Sequence, residues 1–269
     1  MTHQPQSLLV TGGAGFIGAN FVHYWMQRYP AHRVTVLDAL TYAGNPANLA
    51  DLPERYGERY RFIHGSILDE KLLLNLFQEE TIAGVIHLAA ESHVDRSIHK
   101  PQAFIETNVN GTCRLLTVCQ EIWEHAGRPD HFRFLHVSTD EVFGSLGDAG
   151  HFTEASPYAP NSPYSASKAA SDHFVRAWQH TYGLPADMDR IGAWARERGL
   201  VRTRGHEAGV ESVRDVMQAC RDFGIRQLFL LQSQRLQMIQ GAEQPVVHRN
   251  RVLQVPGLQL DLQAFHHAG

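Results

Sequence analysis

The sequence predicts an α/β fold with a doubly wound parallel sheet, and three observations carry that expectation. Apolar runs with little alternation, such as Gly84-Val85-Ile86-His87-Leu88-Ala89-Ala90, read as strands covered on both faces. Helix-length stretches separate these runs in a regular rhythm up to about residue 182. The first apolar run passes directly into closely spaced glycines and then into an amphipathic stretch, which is the pattern of a strand–turn–helix unit.

Taken in order, the first strand covers 7–11, and the turn after it carries Gly12, Gly13, Gly15 and Gly18. Their spacing satisfies both G-x-x-G-x-x-G and G-x-G-x-x-G. Glycine is needed where the chain turns tightly and a pyrophosphate approaches the backbone, and the helix start supplies N–H groups and a positive dipole end. A helix follows over 16–29, and a second strand, 33–38, ends at Asp38, about twenty residues beyond Gly18. There a carboxylate would accept from the ribose hydroxyls of an adenosine. No Arg follows directly, so NAD is favoured over NADP. Further strands are expected at 60–64, 84–89 and 132–138, and further helices at 69–80, 101–126 and 163–182. The last helix has a start signal in Asn161-Ser162-Pro163. The whole is therefore a Rossmann-like sheet.

The chemistry is concentrated in Ser138-Thr139-Asp140-Glu141-Val142-Phe143-Gly144 and Tyr164-Ser165-Ala166-Ser167-Lys168. Tyr-x-x-x-Lys on a helix puts both side chains on one face, where the ammonium is expected to lower the phenol pKa. That would make Tyr164 a proton acceptor near neutral pH. Two adjacent carboxyl groups in the same site imply proton transfers beyond the one that hydride chemistry requires.

Composition fits a soluble cytoplasmic enzyme. The chain has 269 residues and a formal net charge of −4, which gives no footprint for nucleic acid. Cys113, Cys119 and Cys220 have no metal-ligand spacing, and the histidines are scattered, so no metal site is expected. No apolar run is long enough to span a bilayer, and no secretory signal is read at the N-terminus.

Residues 7 to about 185 resemble the dTDP-glucose 4,6-dehydratases, extended short-chain dehydrogenases/reductases acting on nucleotide sugars. The matching stretches are Thr11-Gly-Gly-Ala-Gly-Phe-Ile-Gly18, Leu40-Thr-Tyr-Ala-Gly-Asn45, Leu88-Ala-Ala-Glu-Ser-His-Val-Asp-Arg-Ser-Ile98, Phe104-Ile-Glu-Thr-Asn108, Ser138-Thr-Asp-Glu-Val142 and Ser162-Pro-Tyr-Ser-Ala-Ser-Lys168. The resemblance implies that Tyr164, assisted by Lys168 and the Thr139 hydroxyl, takes the proton from the sugar O4 while C4 gives hydride to NAD. Glu141 would then remove the C5 proton and Asp140 would protonate the departing C6 hydroxyl, after which hydride returns to C6. Cofactor contacts are implied for Gly12, Gly15, Phe16, Ile17, Gly18, Asp38, Leu40, Thr41, Ser66, Ile67, Leu88, Ala89, Ala90, Thr107, Tyr164 and Lys168. Substrate contacts are implied for Ser92 and Thr139. Ser66 departs from the family, which usually has Asp there against the adenine amine. The implied partner is dTDP-glucose, with a homodimer as a possible assembly and neither nucleic acid nor membrane involved.

The resemblance stops at Ala186, where the family continues into a sixth strand and a large substrate-binding lobe; here that lobe reads as truncated or replaced. Three segments result: an NAD-binding domain over 1–185, a foreign helix–strand segment over 186–231, and a tail over 232–269. Residues 188–231 resemble the start of a cis-prenyltransferase such as undecaprenyl diphosphate synthase, with Asp189, Gly192, Trp194, Arg202 and His206 matching its diphosphate-binding region. Ile191 and Ala193 depart from it, the latter losing a guanidinium. The segment reads as a remnant without prenyl transfer. Strand 226–231 is expected to pair beside 132–138 and to complete the sheet. Three functional readings follow: a nucleotide-sugar dehydratase, an NAD-binding remnant with little or no turnover, and a prenyl diphosphate-binding protein.

Overall fold

The computed structural model describes residues 7–145, 152 and 156–187. The elements run in chain order as β1 (Ser7–Thr11), α1 (Phe16–Arg28), β2 (Arg33–Asp38), a 3-10 turn (Pro46–Leu49), α2 (Leu52–Tyr56), a second 3-10 turn (Gly57–Arg59), β3 (Tyr60–His64), α3 (Glu70–Glu79) and β4 (Gly84–His87). Then come α4 (Val94–His99), α5 (Pro101–Phe104), a π-helical stretch (Ile105–Gly111), α6 (Thr112–His125), β5 (Arg133–His136), a 3-10 turn (Asp140–Phe143), α7 (Pro163–Tyr182) and β6 (Ala186–Asp187).

The strands form one parallel sheet in the order β3-β2-β1-β4-β5-β6. Chain progression reverses between β1 and β4, and in such sheets ligands bind outside the carboxyl ends of the strands at that reversal. The sheet is covered on both faces, as the non-alternating apolar runs require. One face packs Leu8, Val10, Val34 and Val36 with Phe21, Val22 and Trp25 of α1. The other packs Leu9, Val85 and Phe134 with Leu73 and Leu76 of α3, Leu115 and Cys119 of α6, and Val175 of α7.

Strands 7–11, 33–38 and 60–64 form where the sequence places them. β4 and β5 are shorter than expected, stopping at His87 and His136, because the chain peels off the ladder there into the site loops. The long helix expected over 101–126 is interrupted by the π-helical stretch, and α2 and α4 are additional short helices. The start of α7 follows the sequence signal: Ser162 and Ser165 cap each other reciprocally with Pro163 in the first turn. The helix ends at Gly183, whose φ of 73° makes glycine the favourable residue there.

One expectation is corrected at the sheet edge. A sixth strand does begin at Ala186, and it pairs parallel to β5 through Phe134↔Ala186 and Leu135↔Asp187. The Phe134 amide is also bonded to the Pro185 carbonyl at 2.9 Å. That edge of β5 is therefore already taken at these two positions, so it is not open there to a strand 226–231. Residues 226–231 themselves lie outside the described residues, as do Asp189, Gly192, Trp194, Arg202, His206 and the whole of 232–269.

Candidate active site

The glycine turn is built by close approach. Gly12 has φ of 69°, and a Cβ there would lie 2.7 Å from the Ala89 amide nitrogen. A Cβ on Gly18 would lie 2.3 Å from the Gly12 carbonyl oxygen. Gly15 is less crowded: a Cβ there would lie 3.3 and 3.8 Å from the Gly12 and Ala43 carbonyl oxygens. It is also the N-cap of α1 and offers no capping side chain, so the amides of the first turn lack that partner. An anionic group fits this cradle. Phe16 and Ile17 begin the helix, with Phe16 half exposed at 49%.

Asp38, the last residue of β2, is buried, and its Oδ2 accepts from the Ala14 amide at 2.8 Å. Its Oδ1 accepts from the Leu40 amide at 2.8 Å. Each oxygen keeps a second lone pair, so a hydroxyl pair can still be received. Leu40 takes a φ of 49°, which that bond supports, and Thr41 follows, exposed. After β3, Ser66 Oγ accepts from the Leu68 amide at 3.1 Å and Ile67 is buried beneath it. After β4, the Ala89 amide donates to Thr11 Oγ1 at 3.2 Å, fixing Leu88–Ala90 beside the glycine turn. Thr107 lies in the π-helical stretch next to Asn108, which binds the Glu91 backbone, so it belongs to the same rim. All these residues therefore gather along the carboxyl edge of the sheet, and the residue set fits a dinucleotide such as NAD.

Thr139, Asp140 and Glu141 follow β5 at the same edge. Thr139 Oγ1 accepts from the Glu141 amide at 3.3 Å, lies 3.4 Å from Asp140 Oδ1, and is hydrogen-bonded to the Tyr164 phenol. Burial, with the Asp140 charge adding to it, raises the Glu141 pKa. Tyr164 is buried on α7, with the Phe104 ring edge-on at 6.2 Å. Ser92 is exposed on the β4 exit loop, where the Tyr42 hydroxyl receives its amide at 3.2 Å. Arg96 lies over the Tyr42 ring at 3.9 Å.

The Tyr164 phenol pKa is raised rather than lowered in the protein without cofactor. Burial pushes the phenol up to about 12; the Thr139 bond opposes this, and the Glu141, Asp140 and Tyr42 charges add to it. Lys168 is not among the groups that set this shift; its Nζ donates to the Val137 carbonyl at 2.7 Å and lies 3.5 Å from His136 Nε2. Lys168 is itself lowered to about 8 by burial, which Asp172 opposes.

Sequence reasoning missed a buried polar layer under this edge. His87 joins Thr11 Oγ1 at 2.8 Å and Thr112 Oγ1 at 2.9 Å, and its pKa is held well below the ordinary value by burial and by His136 and Lys168. Asp172 Oδ2 accepts from Ser138 Oγ and the Tyr158 hydroxyl at 2.6 and 3.0 Å. The available signal was the i, i+4 spacing of Lys168 and Asp172. Among the described residues no cluster of three or more His, Cys, Asp or Glu could hold a metal, and no helix is long and apolar enough to cross a membrane.

A family model described as GDP-mannose 4,6 dehydratase matches residues 9–193, and one described as undecaprenyl diphosphate synthase matches 188–232. A dTDP-glucose 4,6-dehydratase of Xanthomonas campestris pv. campestris is 59% identical over 179 residues, 66% of this chain and 50% of that protein. An Escherichia coli dTDP-glucose 4,6-dehydratase is 49% identical over 189 residues, 66% of this chain and 52% of its own length. A crystal structure of the Streptomyces venezuelae dTDP-glucose 4,6-dehydratase with NAD bound superposes with a TM-score of 0.59 at 52% identity, covering 67% of this chain and 53% of that one. The chain thus spans about half the length of the curated relatives it matches. From the turn of Gly12 to the start of β6, sequence and geometry agree on one lineage: the chain belongs to the GDP-mannose 4,6 dehydratase family.

Proposed function

We propose that this chain binds NAD and acts as a nucleotide-sugar 4,6-dehydratase, with dTDP-glucose as substrate. The observation that carries the reading is the convergence of Tyr164, Thr139 and Glu141, with Asp140 adjacent, at the carboxyl edge that also holds the glycine cradle. A simple dehydrogenase needs the first two; the paired carboxyl groups have work only if a proton leaves carbon and a hydroxyl leaves with one.

Thr139 orients Tyr164, whose phenolate receives the proton of the sugar O4 as C4 becomes a carbonyl. When bound, NAD would supply a hydride acceptor for C4 and donor for C6, and its cationic ring would oppose the raised phenol pKa. Glu141, its pKa raised toward the working range by burial, takes the C5 proton now acidified by the neighbouring ketone. Asp140 gives a proton to the C6 hydroxyl, which departs as water. Glu141 then returns its proton to C5, Tyr164 gives up the O4 proton to solvent and Asp140 regains one from solvent, leaving a 4-keto-6-deoxy sugar, one water and an unchanged protein. Asp38, Leu40, Thr41, Ser66 and Ile67 would receive the adenosine half, Leu88–Ala90 and Thr107 the remainder, and Ser92 the sugar. Lys168 stabilises this end of the site through its charge.

Incubating the full chain with NAD and dTDP-glucose, with mass spectrometry of the sugar nucleotide, tests the reading. Loss of the mass of one water supports it. Cofactor binding without that loss favours an NAD-binding remnant instead, a reading that the half-length coverage motivates. Failure to bind NAD overturns both.

A further inference from the structure

Asp172 is 2% exposed and lies one helical turn beyond Lys168 on α7, which is 4% exposed. Two opposite charges are thus withdrawn from water together, yet they form no direct short pair. His136 stands between them: its Nε2 is 3.3 Å from Asp172 Oδ1 and 3.5 Å from Lys168 Nζ. The other carboxylate oxygen is fastened by Ser138 Oγ and the Tyr158 hydroxyl. Ser138 immediately precedes Thr139, so the carboxylate holds the start of the Thr139–Glu141 turn as well as facing Lys168. A buried carboxylate with no such compensation would be strongly unfavourable.

We propose that Asp172 is a positioning residue: its carboxylate keeps the Lys168 ammonium charged and directed at the end of β5, and ties that strand end to α7. The inference rests on the reading of Lys168 as part of the active site. Ionisable groups face the carboxylate from every side: His136 from β5, Lys168 and His173 from α7 itself, and Tyr158 from the segment before α7; His87 of β4 reaches it only through His136, whose ring centroid is 5.2 Å away. Burial raises Asp172 to about 6, while Lys168, Ser138, Tyr158 and His173 pull it down. Asp172 in turn raises Lys168 against the burial that lowers it. His136 Nε2 accepts from the ammonium only without a proton and donates to Asp172 only with one, so the three groups titrate as a coupled set.

Lys71, Lys100 and Lys168 are the chain's three lysines. Labelling the full chain with 13C at the lysine Cε therefore gives three signals, of which Lys71 and Lys100 belong to exposed side chains. In the wild type the Lys168 signal titrates below the ordinary lysine value of 10.5, and Asp172→Asn moves it down by about one unit more. Asp172→Glu restores part of that shift. A residue that merely packed the core would leave the titration unchanged on isosteric replacement, and an unmoved Lys168 in Asp172→Asn overturns the proposal. Should that variant not fold, Tyr158→Phe serves, since Tyr158 is 39% exposed. Removing its hydroxyl raises the Asp172 pKa, and the smaller acid-side inflection that Asp172 imposes on the Lys168 signal moves to higher pH. An inflection that is absent or stays in place refutes the proposal. None of these measurements uses a sugar nucleotide, so they stand or fall apart from the dehydratase reading.

Discussion

Asp38 Oδ2 accepts the Ala14 amide at 2.8 Å, so the residue that closes β2 also clasps the glycine turn that closes β1. The clasp joins two strands' exits at the place where an adenosine ribose would arrive. Asp38→Ala frees the Ala14 and Leu40 amides together. Two bonds to a charged acceptor are lost, and the expected destabilisation is about 3 kcal/mol by urea unfolding. In a titration, NAD affinity falls and the preference over NADP disappears. Retained preference would show that another group excludes the 2′-phosphate.

Gly18→Ala tests the cradle from its other side. The new methyl would meet the Gly12 carbonyl at 2.3 Å, and that neighbour is backbone, not a movable side chain. The expected cost is about 2 kcal/mol or more, together with loss of NAD binding. Gly15→Ala is the milder change, because its Cβ would meet the Gly12 carbonyl oxygen at 3.3 Å, which a shift of a few tenths of an ångström relieves. It should fold nearly as well as the wild type yet bind NAD more weakly. Equal affinity in both variants would remove the glycine turn from the cofactor site.

Tyr164→Phe and Glu141→Gln divide the chemistry, read by the near-ultraviolet absorbance of reduced cofactor. The tyrosine variant should slow the first oxidation by about 10²–10⁴-fold, since O4 has no acceptor. The glutamine variant should oxidise C4 and stop there, leaving reduced cofactor to accumulate. Arrest of both variants at one step would merge the two roles.

Lys168 predicts a pH dependence of stability with a definite sign. Its pKa is about 8 in the folded chain against 10.5 when free, so between those values the unfolded chain binds more protons. Stability from this residue therefore rises as pH increases from 8 to 10.5, as the cost of burying the ammonium is relieved. Chemical unfolding across that window should show the rise in the wild type and not in Lys168→Met. A parallel profile in the variant would assign it to another group.

The strands next to the glycine turn were legible because burial on both faces writes itself as continuous apolar residues, as in Leu8-Leu9-Val10 and Val34-Thr35-Val36-Leu37. The start of α7 was legible for a local reason, since Ser162, Pro163 and Ser165 satisfy it within four residues. Elements set by distant partners were not. The π-helical stretch depends on Asn108 meeting Glu91 and Ser167, and on Ser171 Oγ bonding the Asn108 carbonyl at 2.6 Å. Asp172 reads as an ordinary polar helix position until Ser138, 34 residues earlier, is seen against it. For the same reason the helical spacing of Tyr164 and Lys168 was visible, while the Val137 carbonyl that claims the ammonium was not.

The π-helical stretch has a dynamic consequence. Its widened turn lets the Asn108 amide accept from the Glu91 N–H at 2.8 Å and donate to the Glu91 carbonyl at 2.9 Å. Both backbone polar groups of one residue in an irregular loop are thereby paired, as they are for a residue within the sheet. Releasing it means unwinding a helix rather than swinging a hinge, so the Glu91 amide should exchange its hydrogen with the slow class of the core. Breathing is left to the facing wall, where Tyr42, 43% exposed, is held to Ser92 by contacts of 3.2 and 3.4 Å.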